Sequence, residues 1–189
     1  MSGPPQVRRT DKLMAPDRTL ETLDRGFCGR LATVREDGYP YCVPLLYVWM
    51  DGQVWVHNTL ARGHLRTNVE HDSRVCFEVD EPGEVFAYGR FECDSSAAYR
   101  SVILFGRIRI VEDVETKHRF CEALMAKYAK QNWDRPNGFF PRLDQITVYA
   151  ITVKRMTGKE TPLPEVSQQW PAVDRTNTPN AVPPKDGGP

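Results

Sequence analysis

The sequence predicts a mainly β protein, a small antiparallel β-barrel with flanking helices. Short segments rich in Val, Ile, Tyr, Phe and Trp recur along the chain. They are joined by tight-turn sequences such as Glu36-Asp37-Gly38 and Asp51-Gly52, which favour hairpins. Strand faces alternate: in Val102–Val111, Ile108 and Ile110 share one side while Arg107 and Arg109 share the other. Helical periodicity is confined to a few stretches between these strands. Closing such a set of strands into a barrel removes exposed edges.

The elements follow in order. Pro16–Arg25 is predicted to be a helix, with Pro16 in the first turn, Leu20 and Leu23 on one face and Gly26 as its stop. Phe27–Val34, Tyr41–Trp49 and Gln53–Asn58 read as three strands of an antiparallel meander. Ala61–His71 is a short helix with Leu65 and Val69 on one face. Strands resume at Arg74–Val79, Val85–Phe91 and Val102–Val111. Asp113–Gln131 is the strongest helix: Asp113 is a suitable N-cap, and Val114, Cys121, Leu124, Met125 and Tyr128 form an apolar stripe. Residues 132–144 read as a loop, and Ile146–Val153 as a final strand apolar on both faces.

At 189 residues and 40% hydrophobic, the chain suits one domain with a sizeable core. Residues 1–15 are expected to be a flexible N-terminal arm and 16–160 the folded domain. Residues 161–189 form a Pro-rich tail, partly docked near Trp170. Basic and acidic residues balance at 25 each, which disfavours a nucleic-acid partner. The longest uncharged apolar-looking run, Gly38 to Met50, is too short to span a membrane and contains two prolines. The first residues carry basic charge with no apolar run behind it, so no secretory signal is expected and the location is read as cytoplasmic. Cys28, Cys42, Cys76, Cys93 and Cys121 form no C-x-x-C pair and read as small hydrophobes in a reducing compartment.

No G-x-G-x-x-G, Walker A, H-E-x-x-H, G-x-S-x-G or EF-hand pattern occurs. His57, His64 and His71 recur every seven residues. His57 falls on a strand and His71 at a helix end, however, and no further ligand completes a metal set. The informative stretch runs from Trp55 to Arg66. A strand ends at His57-Asn58-Thr59, a turn holds Arg62 and Gly63, and a helix begins near His64 with Arg66 in its first turn. Helix-start N–H groups with a hydroxyl and guanidinium groups suit a phosphate dianion. A solvated basic turn is the alternative reading of the same residues.

A set of motifs resembles a known family. These are Gly29-Arg-Leu-Ala-Thr-Val34; Glu36-Asp-Gly-Tyr-Pro-Tyr-Cys-Val-Pro-Leu45; His57-Asn-Thr59 with Gly63-His64 and Asn68; Arg74-Val-Cys-Phe-Glu-Val79; Tyr99-Arg-Ser-Val-Ile-Leu-Phe-Gly106; and Tyr149 with Thr157-Gly-Lys-Glu160 and Trp170. Together they resemble the FMN-binding split-barrel superfamily, in its pyridoxamine 5'-phosphate oxidase-like branch, and most of all the nitroimidazole-resistance (Nim-type) proteins. The resemblance implies a homodimer with FMN sites at the subunit interface. Val43, Pro44 and Leu45 would lie along the flavin ring. His57, Asn58 and Thr59 would reach the ribityl chain and phosphate, and Gly63, His64 and Arg66 would close on the phosphate. Tyr99, Ser101 and Val102 would approach from the interface, with Lys159 and Trp170 covering the neighbouring site. Leu65 stands where many relatives carry Lys, and the C-terminal Arg-x-His signature of true pyridoxamine phosphate oxidases is missing.

The implied activity is that of a flavin-dependent oxidoreductase, a nitroreductase-like flavoprotein. It would take hydride from NAD(P)H and reduce a small nitro-aromatic or quinone-type molecule. His57 is the candidate catalytic residue, as a proton donor, with cofactor positioning as its other reading. A non-catalytic flavin-binding protein, or a haem- or deazaflavin-binding protein on the same fold, is the alternative. The outer apolar surfaces of Val102–Val111 and Ile146–Val153 call for a covering partner, and a second copy of the chain would supply it.

Overall fold

The computed structural model describes residues 7–88, 93–129, 133 and 136–165. A 3-10 turn at Thr10–Lys12 leads into helix α1 (Pro16–Arg25), then strands β1 (Gly29–Val34), β2 (Pro40–Leu45), β3 (Tyr47–Met50) and β4 (Gln53–Thr59). Helix α2 (His64–His71) follows, then β5 (Arg74–Ala87), β6 (Ser95–Val111), helix α3 (Val114–Tyr128) and β7 (Ile146–Thr161). The strands form one seven-stranded antiparallel sheet in the order β2-β1-β5-β6-β7-β4-β3. The mainly β prediction holds; the Gly29–Val34, Arg74–Val79, Tyr99–Gly106 and Thr157–Glu160 motifs fall on its strands, while Gly63, His64 and Asn68 fall at the start of and within α2.

The expected three-strand meander is replaced by a different path. Tyr41–Trp49 is two strands broken at Leu46. β2 pairs with β1 at one edge of the sheet, and β3 pairs with β4 at the other. One residue separates Leu45 from Tyr47, a reach of only about 7 Å. The two edges must therefore meet at that corner, which curls the sheet into a barrel that is split beside Leu46.

Local chemistry sets each turn. Asp51 and Gly52 both take positive φ, 53° and 69°, closing a two-residue turn between the paired Met50 and Gln53. Asp113 caps α3 by accepting from the Thr116 N–H at 2.7 Å. Pro82-Gly83 interrupts β5 only as a bulge, so Arg74–Val79 and the first part of Val85–Phe91 belong to one strand; residues 89–91 lie outside the described residues. β7 runs on to Thr161, well past Val153.

Two cores result. Leu31, Val54, Val56, Phe77, Val79, Leu104, Tyr149 and Ile151 fill the barrel, and Leu65 and Val69 of α2 plug it. Leu23 of α1 caps it, with the Tyr47 hydroxyl donating to the Leu23 carbonyl. Outside the barrel, Val48, Trp55, Val148 and Ala150 pack under Phe120, Cys121 and Leu124 of α3. The Val148 and Ala150 face of Ile146–Val153 is thus covered by α3. The other outer face has no such cover among the described residues. It carries Arg30, Ala32, Cys42, Pro44, Cys76, Glu78 and Ile103 in register. All five cysteines are free; Cys121 is buried, while Cys42 and Cys93 are exposed rather than packed as small hydrophobes.

Candidate functional site

The residues foreseen for a ligand fall into groups, and strand parity explains the division. Side chains of β4 alternate between the barrel interior and the α3 side. Val54, Val56 and Asn58 face inward, whereas Trp55 and His57 face α3.

The first group gathers at the barrel end plugged by α2. Gly63 is the N-cap of α2 and offers no side-chain cap, so the leading N–H groups of that helix are uncapped. His64 packs against Tyr41 of β2 with ring centroids 5.4 Å apart, which draws the helix start to the β2 edge carrying Val43, Pro44 and Leu45. An open cavity of about 380 Å³ lies there, lined by Arg35, Glu36, Asp37, His64, Thr67 and Asn68. Asn68 is buried and its amide donates to the Thr33 hydroxyl at 2.9 Å, tying α2 to β1. Asn58 and Thr59 end β4 beside this mouth. Arg62 and Arg66 point to one acid: Glu70 accepts from them at 2.6 and 2.5 Å, and the Arg66 hydrogen bond holds its carboxyl below the usual range.

His57 stands apart. Its ring packs 5.5 Å from Phe120, and Nδ1 is buried without a hydrogen-bond partner. Burial lowers its pKa, which favours a neutral imidazole. The second group lies on the far side of the uncovered face. Ser101 pairs with Lys159 between β6 and β7, and Lys12 sits 5.6 Å above the Tyr99 ring. Arg100 bridges Glu81 and Glu160 in a chain of ion pairs that reaches Arg18 and Arg25 of α1. Val102 is 1% exposed with its side chain in the barrel core, so its backbone alone can face a ligand. Trp170 lies outside the described residues.

Several polar residues at the mouth escaped the sequence reading. Glu70 is four residues from Arg66 on a helix, a spacing that signals pairing. Thr147 reads in sequence only as a strand residue, and Tyr149 as a strand residue within the family motifs, with no polar role for either. In the structure the Tyr149 hydroxyl donates to Asn58 Oδ1 at 3.2 Å, and the Thr147 hydroxyl is buried without a partner. Among the described residues no group of three or more His, Cys, Asp or Glu could hold a metal ion. No helix among them is long and apolar enough to cross a membrane.

A barrel split at one corner, with an uncapped helix start at that end, defines the class of split β-barrels. Residues 15–160 match the family model for pyridoxamine 5'-phosphate oxidase, and the chain belongs to that family. No protein of curated function matches the sequence. Among solved structures, the flavocytochrome Anf3 from Azotobacter vinelandii is similar at 17% identity over 97% of this chain and 92% of that one, with a TM-score of 0.71. A FAD and heme binding protein from Mycobacterium smegmatis follows at 20% identity, 82% and 76% coverage and a TM-score of 0.67. A candidate 5-nitroimidazole antibiotic resistance protein from Bacteroides thetaiotaomicron shares 19% identity over 78% and 85% of the chains, with a TM-score of 0.65. At these identities the likeness shows the shared fold.

Proposed function

We propose that this protein binds FMN at the mouth formed by β2, the end of β4 and the start of α2, and acts as a flavin-dependent oxidoreductase. The supporting observation is the set of unmet donors at that mouth: the uncapped α2 N-terminus and the NH₂ of Asn58, whose carbonyl is taken by Tyr149. Such groups suit the oxygens of a ribityl-phosphate arm. Arg62 and Arg66 add positive charge, shared with Glu70. The free β2 edge at Val43–Leu45 offers backbone groups to a flat polar ring. The flavin, when bound, supplies two-electron chemistry from NAD(P)H to a small electrophile such as a nitro-aromatic or quinone. The chain's own part is to hold, orient and shield it.

A second copy of the chain completes this reading. Tyr99 and Ser101 on β6 are separated from β2 by β1 and β5, about 14 Å at the usual strand spacing, and Lys159 on β7 lies one strand further along the sheet, about 19 Å. They serve a flavin only across a dimer. The uncovered face with Ala32, Pro44, Cys42, Cys76 and Ile103 is the surface for that contact, burying on the order of 2,000 Å². Free cysteines throughout fit a reducing, cytoplasmic setting.

The visible spectrum of the purified protein is the first test. A flavin spectrum that bleaches with NADH or NADPH and returns with a nitroimidazole supports the enzyme. A flavin that does not bleach indicates a carrier or sensor. One neighbour is named as a FAD and heme binding protein and another as a flavocytochrome, so a Soret band in place of flavin would shift the assignment to haem. A colourless protein that takes up only a reduced deazaflavin would do the same for that cofactor.

A further inference from the structure

Tyr149 is buried near the start of β7, 0% exposed, and its ring belongs to the barrel core. A phenol so placed must still find an acceptor for its proton, or lose the full desolvation cost of that group. The partner it finds is Asn58 Oδ1, at 3.2 Å across the β4–β7 ladder. Thr147, directly opposite Asn58 in register and 2% exposed, makes no hydrogen bond with its hydroxyl. The carbonyl end of the Asn58 amide is therefore the group that satisfies Tyr149. An amide turned the other way would leave the phenol proton to the Thr147 hydroxyl alone, which lies beside it but outside hydrogen-bond geometry, so the network favours the carbonyl-in orientation.

We infer that Tyr149 is a positioning residue: by taking the Asn58 carbonyl, it turns the Asn58 NH₂ outward as a fixed donor at the mouth of the barrel. Among the described residues nothing accepts from that NH₂. Thr147, on the same face of the sheet, keeps its hydroxyl buried beside the phenol. The directed NH₂ then meets a ligand rich in acceptor oxygens, as a ribityl-phosphate arm is. A pre-turned amide gives such a ligand a hydrogen bond without the cost of ordering a side chain. Burial raises the Tyr149 pKa, so the phenol stays a donor through the neutral range.

The inference rests on the flavin reading, and its test separates the two. FMN is titrated into the wild-type apo-protein and into Tyr149→Phe, Asn58→Ala and the double variant. Tyr149→Phe keeps the ring and the core packing. It should weaken FMN about three- to tenfold, the worth of one neutral hydrogen bond. In the Asn58→Ala background the same change should alter affinity by less than about twofold, because Tyr149 acts only through Asn58. Asn58→Asp keeps the acceptor for Tyr149 but has no donor at neutral pH. It should lose FMN at least as severely as Asn58→Ala. An unchanged Kd in Tyr149→Phe, equal losses in both backgrounds, or full affinity in Asn58→Asp would overturn the inference.

A wild-type protein that binds no flavin would refute the flavin reading, and the orientation is then decided by NMR. The Asn58 side-chain amide signals in the ligand-free protein should move and broaden in Tyr149→Phe if the phenol holds the amide. Signals unchanged between the two proteins would overturn the inference whatever the cofactor.

Discussion

Lys127, in the last turn of α3, is the residue whose replacement should stabilise the protein. Its ammonium is buried without a hydrogen-bond partner and lies 3.8 Å from the centroid of the Tyr47 ring. Burial lowers its pKa from 10.5 to about 8, with Asp24 opposing the shift. The interval corresponds to at most about 3 kcal/mol against the charged form in the folded state. The side chain retains some solvent contact, and the Tyr47 face returns about 1–2 kcal/mol as a cation–π attraction. The net cost of the charge is then about 1 kcal/mol. Lys127→Met keeps the length and polarizability of the chain while removing the charge. Chemical denaturation at pH 7 should show the variant more stable by about 1 kcal/mol, or about 2–4 °C in Tm. The sign with pH is definite. Between about pH 8 and 10.5 the unfolded chain binds more protons at Lys127 than the folded one, so wild-type stability rises relative to the variant across that window. A variant less stable than wild type by an amount independent of pH would refute this account and make the ammonium–Tyr47 contact a net stabiliser.

Glu70→Gln should free Arg62 and Arg66 and tighten FMN about two- to tenfold while leaving riboflavin affinity nearly unchanged; equal gains for both ligands would place the phosphate elsewhere. Asp113→Ala should lower Tm by uncapping α3, and the difference from wild type should fade as pH falls through the carboxylate range, because the Thr116 donors depress the Asp113 pKa and its contribution is present only while it is ionised. Gly158→Val should destabilise the fold by about 1–3 kcal/mol in thermal denaturation, since a Cβ there meets Thr19 and Met14 where α1 docks. Ile103→Glu on the uncovered face should shift sedimentation at micromolar concentration from dimer to monomer; an unaltered dimer would assign the contact to another surface.

The sequence was most informative where one local rule acts. Pro16 and Gly26 bracket α1 at its observed bounds, and Asp113 caps α3 as its type and place suggest. The break at Leu46 was invisible for a physical reason. Tyr41, Val43 and Leu45 of β2 pack against the barrel core, as do Tyr47 and Trp49 of β3, so the two-residue period keeps its phase across the gap. An uninterrupted alternation reads as one strand even though the chain changes edges. Pro82-Gly83 misled in the opposite sense, because a bulge and a turn use the same residues. At the mouth, the helix-start signal near Gly63 and His64 was legible from composition. The Tyr149–Asn58 bond spans 91 residues, and no local pattern reports it. His57 and Asn58 are adjacent in the motif but occupy opposite faces of β4, which spacing alone does not separate without knowing that α3 covers one side.

The place of β7 in the sheet also governs the order in which the protein can be completed as it leaves the ribosome. β1 with β2, β3 with β4, and β5 with β6 are hairpins that need only nearby chain. The β4–β7 seam joins residues as far apart as Gln53 and Thr152, 99 positions away. Until residues 146–161 emerge, β4 and β6 each present an unpaired edge and the barrel has no wall between them. The last strand is therefore an insertion that zips two waiting half-sheets together, a closure expected on the slow side for a domain of this size. A nascent chain stalled before residue 146 would hold two adhesive edges at once, which makes translation through that point the moment of greatest exposure to aggregation.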